Sequence, residues 1–289
     1  MLDMISRIVK NIGDCAKIPS FSTYEEHIHP LIIEFTSKLG GCTVTRIPDN
    51  NLVIYIPGNT KKPPIALTSH LDKINHFGKN FPAELPFTKG EEQITGQLDD
   101  TVGIGICLSI MEASIIEDFP PLYILFSEME ESTGLKNHPQ LLKNNGIGYH
   151  HGMGAERISY YLLENKIYPA LFITVDTTPI FKGTQGIALY SKFWENRSIE
   201  PCCNLLKKTQ KIENFFQKEY SEILLINKNN DFRKYGALFH HLKCLAIPSI
   251  ALEPAIFPCH TKNEKVFISD IEKVFTLLSK FLTDFDLNF

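Results

Sequence analysis

The sequence has little that would suit a nucleic-acid-binding, membrane or secreted protein. Its 289 residues include 29 basic and 33 acidic residues, a net charge of −4, and only five of the basic residues are scattered arginines. Nucleic-acid-binding proteins usually carry an excess or a stripe of basic residues. No run approaches the roughly 18 apolar residues of a membrane span, and the N-terminus lacks the apolar stretch of a secretory signal. We therefore expect a cytoplasmic protein without a nucleic-acid or membrane partner.

The cysteine and glycine patterns exclude several common kinds of site. The seven cysteines are odd in number and irregularly spaced, and no Cys-x-x-Cys pair occurs. Neither a disulfide framework nor a structural zinc site is therefore indicated, and reduced thiols are expected. The motifs HExxH, GxSxG, Walker A and GxGxxG are also absent. The Gly-Ile-Gly fragment at 103–105 lacks the third glycine of a dinucleotide motif, so it is weak support for nucleotide binding.

Short apolar segments alternate with segments of helical periodicity along the chain. The apolar runs lie at 51–58, 63–72, 120–131, 169–179 and 243–260, and the helical patterns at 2–17, 24–39, 99–116, 154–165 and 269–284. Strands that are apolar on both faces and separated by helices predict a mostly parallel central sheet with helices on both faces. We therefore predict an α/β fold in a single domain over residues 1–289, with Ser22 or Thr23 as the cap of the second helix.

Possible metal ligands follow the ends of four of these apolar runs, and a further carboxylate opens a helix. They are His70 and Asp72, Glu130 and Glu131, Asp176, His260, and Asp99 at the helix start. Ligands bind just outside the carboxyl ends of the strands in open parallel sheets. Each residue alone has a simpler interpretation as a helix cap, a turn residue or a solvated loop residue. Their joint occurrence at the strand ends favours a common site.

The set of donors points to a catalytic metal centre. Histidine and carboxylate without thiolate suit a catalytic metal with open coordination positions. Two histidines and three carboxylates suffice for two divalent ions about 3.5–4 Å apart that share one carboxylate. Asp99 is the predicted bridge, because it lies between the other ligands in the sequence and at a helix start. The adjacent acids Glu130 and Glu131 suit a division in which one binds metal and the other transfers a proton.

Five segments resemble the metal-site motifs of the co-catalytic di-zinc exopeptidases of clan MH. They are SHLDK (69–73), GQLDDTVGIG (96–105), SEMEESTGL (127–135), ITVDTTP (173–179) and PCHTKNEKVFISDIEKV (258–274). The forms LDDxVG, EExxGL and VDxTP are most similar to the glutamyl and deblocking aminopeptidase branch. The resemblance extends as an ordered series from about residue 20 to residue 280, and it implies a zinc aminopeptidase-like fold.

The resemblance assigns the ligands to two metal ions. It implies that His70 and Asp176 hold one ion, that Glu131 and His260 hold the other, and that Asp99 bridges them. The implied ions are Zn²⁺, with Co²⁺ or Mn²⁺ as alternatives.

The resemblance also assigns the catalytic roles. Asp72 is implied to orient His70, and Glu130 to serve as the general base for the water that attacks the amide bond. A cis peptide bond between Asp99 and Asp100 is a further implication.

The chain has no room for the lid domain of that branch. Asp72 and Asp99 are only 27 positions apart, and the 84 positions between Asp176 and His260 should be filled by the last strands and helices. We therefore predict a bare catalytic domain. Because family members often assemble through the lid, an oligomer is possible but its state is left open.

The spacing of the ligands also predicts one insertion. Glu131 and Asp176 are 45 positions apart, which is longer than usual for the family and places a loop insertion at 136–168. His150 and His151 lie in it, and we expect them on a surface loop rather than in a third metal site.

The most specific expectation is a metal-dependent aminopeptidase that cleaves peptides or small N-terminal amides. A carboxypeptidase or N-acyl amino-acid deacylase is the nearest alternative, and it would need Arg157, Arg197 or Arg233 to bind the substrate carboxylate. A non-catalytic peptidase-like binding module is a third possibility. The presence of Glu130 argues against it, because loss of the general base is the simplest route to inactivity.

Overall fold

The structure is a computed structural model that describes residues 3–197, 199–227 and 235–286. The helices in these ranges are α1 (Met4–Ala16), α2 (His29–Leu39), α3 (Thr101–Ala113), α4 (Ser132–Asn137), α5 (Met153–Glu164), α6 (Cys203–Glu219), α7 (Tyr235–Lys243) and α8 (Ile268–Asp284). The strands are β1 (Thr43–Ile47), β2 (Asn51–Ile56), β3 (Ile65–His70), β4 (Thr88–Lys89), β5 (Gln93–Gly96), β6 (Leu122–Ser127), β7 (Leu171–Val175), β8 (Ile187–Tyr190), β9 (Leu224–Ile226), β10 (Ser249–Pro254) and β11 (Glu264–Phe267). None of the described helices is long and apolar enough to cross a membrane.

A mixed, mostly parallel eight-stranded sheet organises the molecule, and the predicted α/β fold is confirmed. Its strand order is β1-β2-β6-β3-β7-β10-β8-β9. The four strands at its centre, β6, β3, β7 and β10, are parallel. On one side β1 and β2 add in the antiparallel sense, and on the other β8 is antiparallel to β10 and parallel to β9. A second, three-stranded sheet has the order β11-β5-β4, and a bridge between Ile256 and Val266 joins it to the segment after β10. The carboxyl ends of the four parallel strands therefore meet at one edge of the large sheet.

The central strands are apolar on both faces because helices cover both sides of the sheet. On β3, Ile65 and Leu67 belong to the larger core with residues of α1, α3 and α8. Ala66 between them faces a second core formed with α5 and α7. This two-sided burial explains why the sequence shows continuous apolar runs here rather than alternation.

The Gly-Ile-Gly fragment allows close packing of α3. A Cβ atom on Gly105 would lie 2.4 Å from Ile12 Cγ1 in α1, and one on Gly103 would lie 2.1 Å from the Val175 carbonyl oxygen at the end of β7. Glycine at these two positions lets α3 approach both its neighbouring helix and the sheet edge.

The cap predicted for the second helix is wrong. That helix begins at His29, without a side-chain cap, after a short 3₁₀ turn at Glu25–His27. The hydroxyl of Ser22 donates instead to Asp72 Oδ2 over 2.8 Å, and the hydroxyl of Thr23 accepts a 3.0 Å hydrogen bond from the Lys143 backbone. Both side chains are thus used in long-range contacts rather than in a local cap.

The segments between the predicted ligands contain short elements that the apolar pattern does not show. The short strands β4 and β5 lie between Asp72 and Asp99. The predicted insertion at 136–168 contains two 3₁₀ turns and loops in addition to α5, which corresponds to the helical pattern at 154–165. That the whole chain is one catalytic domain without a lid stays a prediction.

Candidate metal centre

His70 and Asp99 meet where β3 ends and α3 begins. His70 is the last residue of β3, and its Nε2 atom lies 3.2 Å from Asp99 Oδ1. The Asp99–Asp100 peptide bond is cis, as the resemblance implied. His70 is almost fully buried, so its imidazole is held at the sheet edge with Nε2 directed at the carboxylate.

His260 approaches Asp99 from the other side. It follows β10, with a positive φ of 56°, and its Nε2 atom lies 3.5 Å from Asp99 Oδ2 and 3.6 Å from Glu131 Oε2. The two oxygens of Asp99 therefore face one histidine each. This is the arrangement that a carboxylate bridging two ions needs, and it pairs His260 with Glu131 as the resemblance implied.

Asp176 and Glu130 complete the group around His70. Asp176 follows β7, and its Oδ1 atom lies 4.0 Å from His70 Nε2, whereas Glu130 Oε2 lies 3.9 Å from the same nitrogen. The structure thus brings together all five predicted ligands and the predicted base. Sets of these side chains, such as His70, Asp99 and Glu131, place their donor atoms within 4.8 Å of one another and could hold a metal ion.

Asp100 is the alternative to Asp99, and its carboxylate is already used in the fold. It caps α3 by accepting a 2.9 Å hydrogen bond from the Gly103 backbone, and it accepts another from the Ser69 hydroxyl. Asp100 also lies within ligand distance of His70 and Asp176. Asp99 contacts both histidines, whereas each oxygen of Asp100 accepts a hydrogen bond from the fold, so the geometry favours Asp99 as the bridge.

Asp72 orients His70, as predicted, and it also holds the backbone of the loop that carries Glu130 and Glu131. Its Oδ1 atom lies 3.2 Å from His70 Nδ1 and accepts a 2.9 Å bond from the Glu130 backbone. Its Oδ2 atom accepts from the Glu131 backbone over 3.0 Å and from the Ser22 hydroxyl. Burial raises the pKa of Asp72, but the hydrogen bonds from His70 and from both backbone groups outweigh it, and the net shift is downward. A single carboxylate therefore fixes one ligand histidine and both adjacent glutamates.

The loop that carries Glu130 and Glu131 is held through its backbone by two further buried side chains. Asn51 Oδ1 accepts from the Glu128 backbone over 2.9 Å, and Glu25 Oε1 accepts from the Met129 backbone over 3.2 Å. With Asp72, these side chains provide an acceptor for four successive N–H groups. Met129 has a φ of 55°, an uncommon conformation for a residue with a side chain. The acceptors hold the loop in this turn.

The electrostatics of the group suit a bound cation. Burial raises the pKa of Asp99, but hydrogen bonds from His260 and His70 reverse this and lower it strongly. The same contact raises the pKa of His260. Burial and the nearby charge of Asp99 raise the pKa of Glu131 well above its ordinary value. A divalent ion would relieve this repulsion between carboxylates, so the residues fit a metal centre.

Glu264 connects the segment that carries Asp99 with the loop that carries His260. Its Oε2 atom accepts from the Leu98 backbone over 2.6 Å and from the Asp99 backbone over 3.1 Å, and its Oε1 atom accepts from the Thr261 backbone over 3.2 Å. The side chain is buried. Burial, followed by the charge of Asp99, raises its pKa to about 7. Glu264 therefore sets the bridging aspartate relative to the loop of His260.

Replacing Glu264 by glutamine should weaken metal binding about 10-fold or more. Glutamine has one acceptor oxygen, so its NH₂ group must face one of the three backbone donors. Loss of a residue that orients metal ligands typically costs about 10–100-fold in metal affinity. Titration of the metal-free protein with zinc measures the change. Glu91→Gln, a substitution of an exposed glutamate, is the control, and equal affinities of the two variants would contradict the role of Glu264.

A thiol also lies at the centre. The sequence analysis had expected only histidine and carboxylate donors. Cys259 Sγ lies 3.8 Å from Asp99 Oδ2, and Cys259, Asp99 and His260 place donor atoms within 4.8 Å of one another. Burial and the surrounding carboxylates raise the pKa of this thiol. Its position directly before His260 was the available sequence signal.

The predicted insertion contacts the loop that carries Glu130 and Glu131. Arg157 on α5 pairs with Glu128, and it lies 2.8 Å from Asp49, while the Gly152 backbone donates to the Met129 carbonyl over 2.8 Å. His150 pairs with Glu156 at the surface. Arg157 is therefore engaged in the support of the loop, Arg197 is exposed, and Arg233 lies outside the described residues.

Comparison with known proteins places the fold among zinc aminopeptidase structures. No protein-family model matches the chain, and no curated protein is similar to it in sequence. A TET aminopeptidase from a marine-sediment Thaumarchaeota archaeon matches with a TM-score of 0.70 and 11% identity, over 99% of this chain and 98% of that one. The Pyrococcus horikoshii TET1 peptidase matches with a TM-score of 0.63 and 13% identity, over 98% and 100%.

A tripeptidase from Staphylococcus aureus also matches. Its TM-score is 0.63 with 14% identity, and the match covers 96% of this chain and 98% of that one. These three likenesses at low identity extend over almost the full length of every chain compared. They confirm the resemblance at the level of the fold.

Proposed function

We propose that the protein is a metal-dependent exopeptidase of the aminopeptidase type, which hydrolyses the amide bond after the N-terminal residue of a peptide. The observation that carries the proposal is the position of Asp99 between His70 and His260, with Asp176 and Glu131 beside them. Solved structures with the same fold that are described as aminopeptidases support the proposal. A cytoplasmic location is a further proposal. So is self-association, because the Pyrococcus horikoshii TET1 peptidase can assemble into a tetrahedron or an octahedral shell.

The residues fit two divalent ions, with zinc first among the candidates. His70 and Asp176 would hold one, Glu131 and His260 the other, and Asp99 both. When bound, such ions lower the pKa of water and polarise a carbonyl group. Glu130 accepts the proton of the attacking water and delivers it to the nitrogen of the leaving amine. Asp72 keeps His70, Glu130 and Glu131 in place for these roles.

A free substrate amino group should be required. We expect the zinc-loaded protein to hydrolyse leucine p-nitroanilide and leucyl peptides, and we expect acetylation of the amino group to abolish turnover. The measurement is the initial rate on matched free and acetylated substrates, with the metal-free protein as the control. Equal or faster cleavage of N-acyl amino acids would instead favour the deacylase alternative, and no hydrolysis of any amide would favour the binding module.

A further inference from the structure

Three basic side chains lie on the segments that follow predicted metal ligands, and none of them has an assigned role. They are His76, His138 and Lys262, which follow predicted ligands by six, seven and two positions, respectively. His76 lies in the loop after β3, His138 lies at the end of α4, and Lys262 lies in the loop after β10. The Cβ position of Gly134 in α4 comes within 3.9 Å of Ile74 Cα, so the first two of these segments are packed together. We name these three side chains the basic rim.

Lys262 ties the third segment to the first. Its ammonium group lies 4.6 Å from the centre of the Phe77 ring, next in sequence to His76. Among the described residues, no carboxylate forms an ion pair with Lys262, although the metal centre itself is rich in acids. The side chain is exposed, so its charge faces the solvent beside the centre.

Among the described residues, one ring nitrogen of His76 has no hydrogen-bond partner. This atom, Nε2, is buried. Burial lowers the pKa of His76, and the proximity of His138, Lys262 and His260 lowers it further. A buried polar atom without a partner is unfavourable, and a protonated Nε2 of His76 could donate a hydrogen bond to an anionic ligand. The basic rim therefore has the chemistry of a site for a carboxylate.

We propose that Lys262, with His76 and His138, binds the α-carboxylate of the amino acid or short peptide on the leaving side of the scissile bond. This inference rests on the proposed function, and it narrows the substrates to di- and tripeptides with a free C-terminus. A short leaving group places its carboxylate within a few ångströms of the bond that is cleaved, and the rim residues lie on the segments that directly follow the predicted ligands. Lys262 would then be the cation that binds the substrate carboxylate. Arg157 is already paired with Glu128 and Asp49.

The first test compares peptides with their amides. We expect kcat/KM for Leu-Gly to exceed that for Leu-glycinamide about 10-fold or more, mostly through KM, and the preference to fade in longer peptides. Lys262→Gln should remove this preference by slowing the acid and leaving the amide nearly unchanged. Lys265→Gln removes the same charge from an exposed position on β11 and should keep the preference. Equal rates for acid and amide in the unmodified protein would overturn the proposal.

A third substrate distinguishes the α-carboxylate of the leaving residue from a carboxylate on the side chain of the N-terminal residue. Glu-glycinamide carries a carboxylate only on its N-terminal side chain. A preference for Glu-glycinamide over Leu-glycinamide that disappears in Lys262→Gln would assign the rim to that side chain and overturn the assignment to the α-carboxylate. Equal rates for these two amides, with faster cleavage of Leu-Gly, are the result we expect.

Binding keeps the test independent of turnover. In the zinc-loaded Glu130→Gln variant, calorimetry should show at least 10-fold tighter binding of Leu-Gly than of Leu-glycinamide, and Lys262→Gln should abolish the difference. If the unmodified protein cleaves no peptide, the proposed function fails, while this binding difference still decides the role of the rim. Equal affinities, or no binding of either compound, would refute the carboxylate site.

Discussion

Glu130→Gln should lower the turnover of the best peptide substrate by about 10²–10⁴-fold, the usual effect of removing a general base. The substitution keeps the size and shape of the side chain but removes the proton acceptor. Glu130 is 16% exposed whereas Glu131 is 4% exposed, so Glu130 is the one that can reach a substrate water. The fold and the metal content should stay nearly unchanged, as measured by circular dichroism and elemental analysis.

Glu131→Gln is the matched comparison, because the two glutamates are adjacent and only their roles differ. It should weaken one metal site, since Glu131 lies 3.6 Å from His260, and excess zinc should restore part of the activity. A Glu130→Gln protein that works at nearly the normal rate would remove Glu130 from the mechanism and favour the binding-module alternative.

The positions of the proposed ligands were predictable because topology brings them together. Parallel strands that are apolar on both faces leave a strong signal, and their carboxyl ends meet at one edge of the sheet. His70 ends one such strand, β3, and Glu131 and Asp176 follow two others, β6 and β7. The sequence pattern therefore predicts that these residues lie at one edge of the sheet, and the structure gives the distances between them.

The strands that the sequence did not reveal are short or lie at sheet edges. Among the described strands β1 pairs only with β2, and of its five residues only Ile47 is buried. β9 is three residues long and β4 two. Such strands lack a continuous apolar run, since one face or one edge contacts solvent. Their pairing is decided by tertiary contacts rather than by local preference.

The supporting residues were missed for a different reason. Glu25 accepts from the backbone 104 positions away, and Glu264 from the backbone 166 positions away. A hydrogen bond from a backbone N–H to a distant side chain leaves no periodicity and no motif at either end. Burial of an acid is the physical signal, and it becomes visible only in the folded chain.

Asp72→Ala should produce the largest loss of stability of the variants considered. The substitution leaves the buried backbone N–H groups of Glu130 and Glu131 without an acceptor, and it removes the partners of His70 and Ser22. Each buried donor left unsatisfied costs about 1–3 kcal/mol. We therefore expect the free energy of unfolding to fall by about 3–6 kcal/mol, a large part of the roughly 5–15 kcal/mol of a typical domain. Thermal and urea unfolding measure the change, and zinc content should fall with it.

Two control variants show whether the missing acceptors are the cause. Asp118→Ala removes a carboxylate that is 66% exposed and bonded to Asn59 and Lys62, so its effect should be within about 0.5–1 kcal/mol. Asp72→Asn keeps the volume and one acceptor oxygen, but its NH₂ group must face a backbone N–H, so its loss should lie between the other two. If Asp72→Ala unfolded at the same temperature as Asp118→Ala, the carboxylate would not hold the loop. Its four hydrogen bonds would then have to be replaced by water, and Glu130 and Glu131 would need another means of positioning.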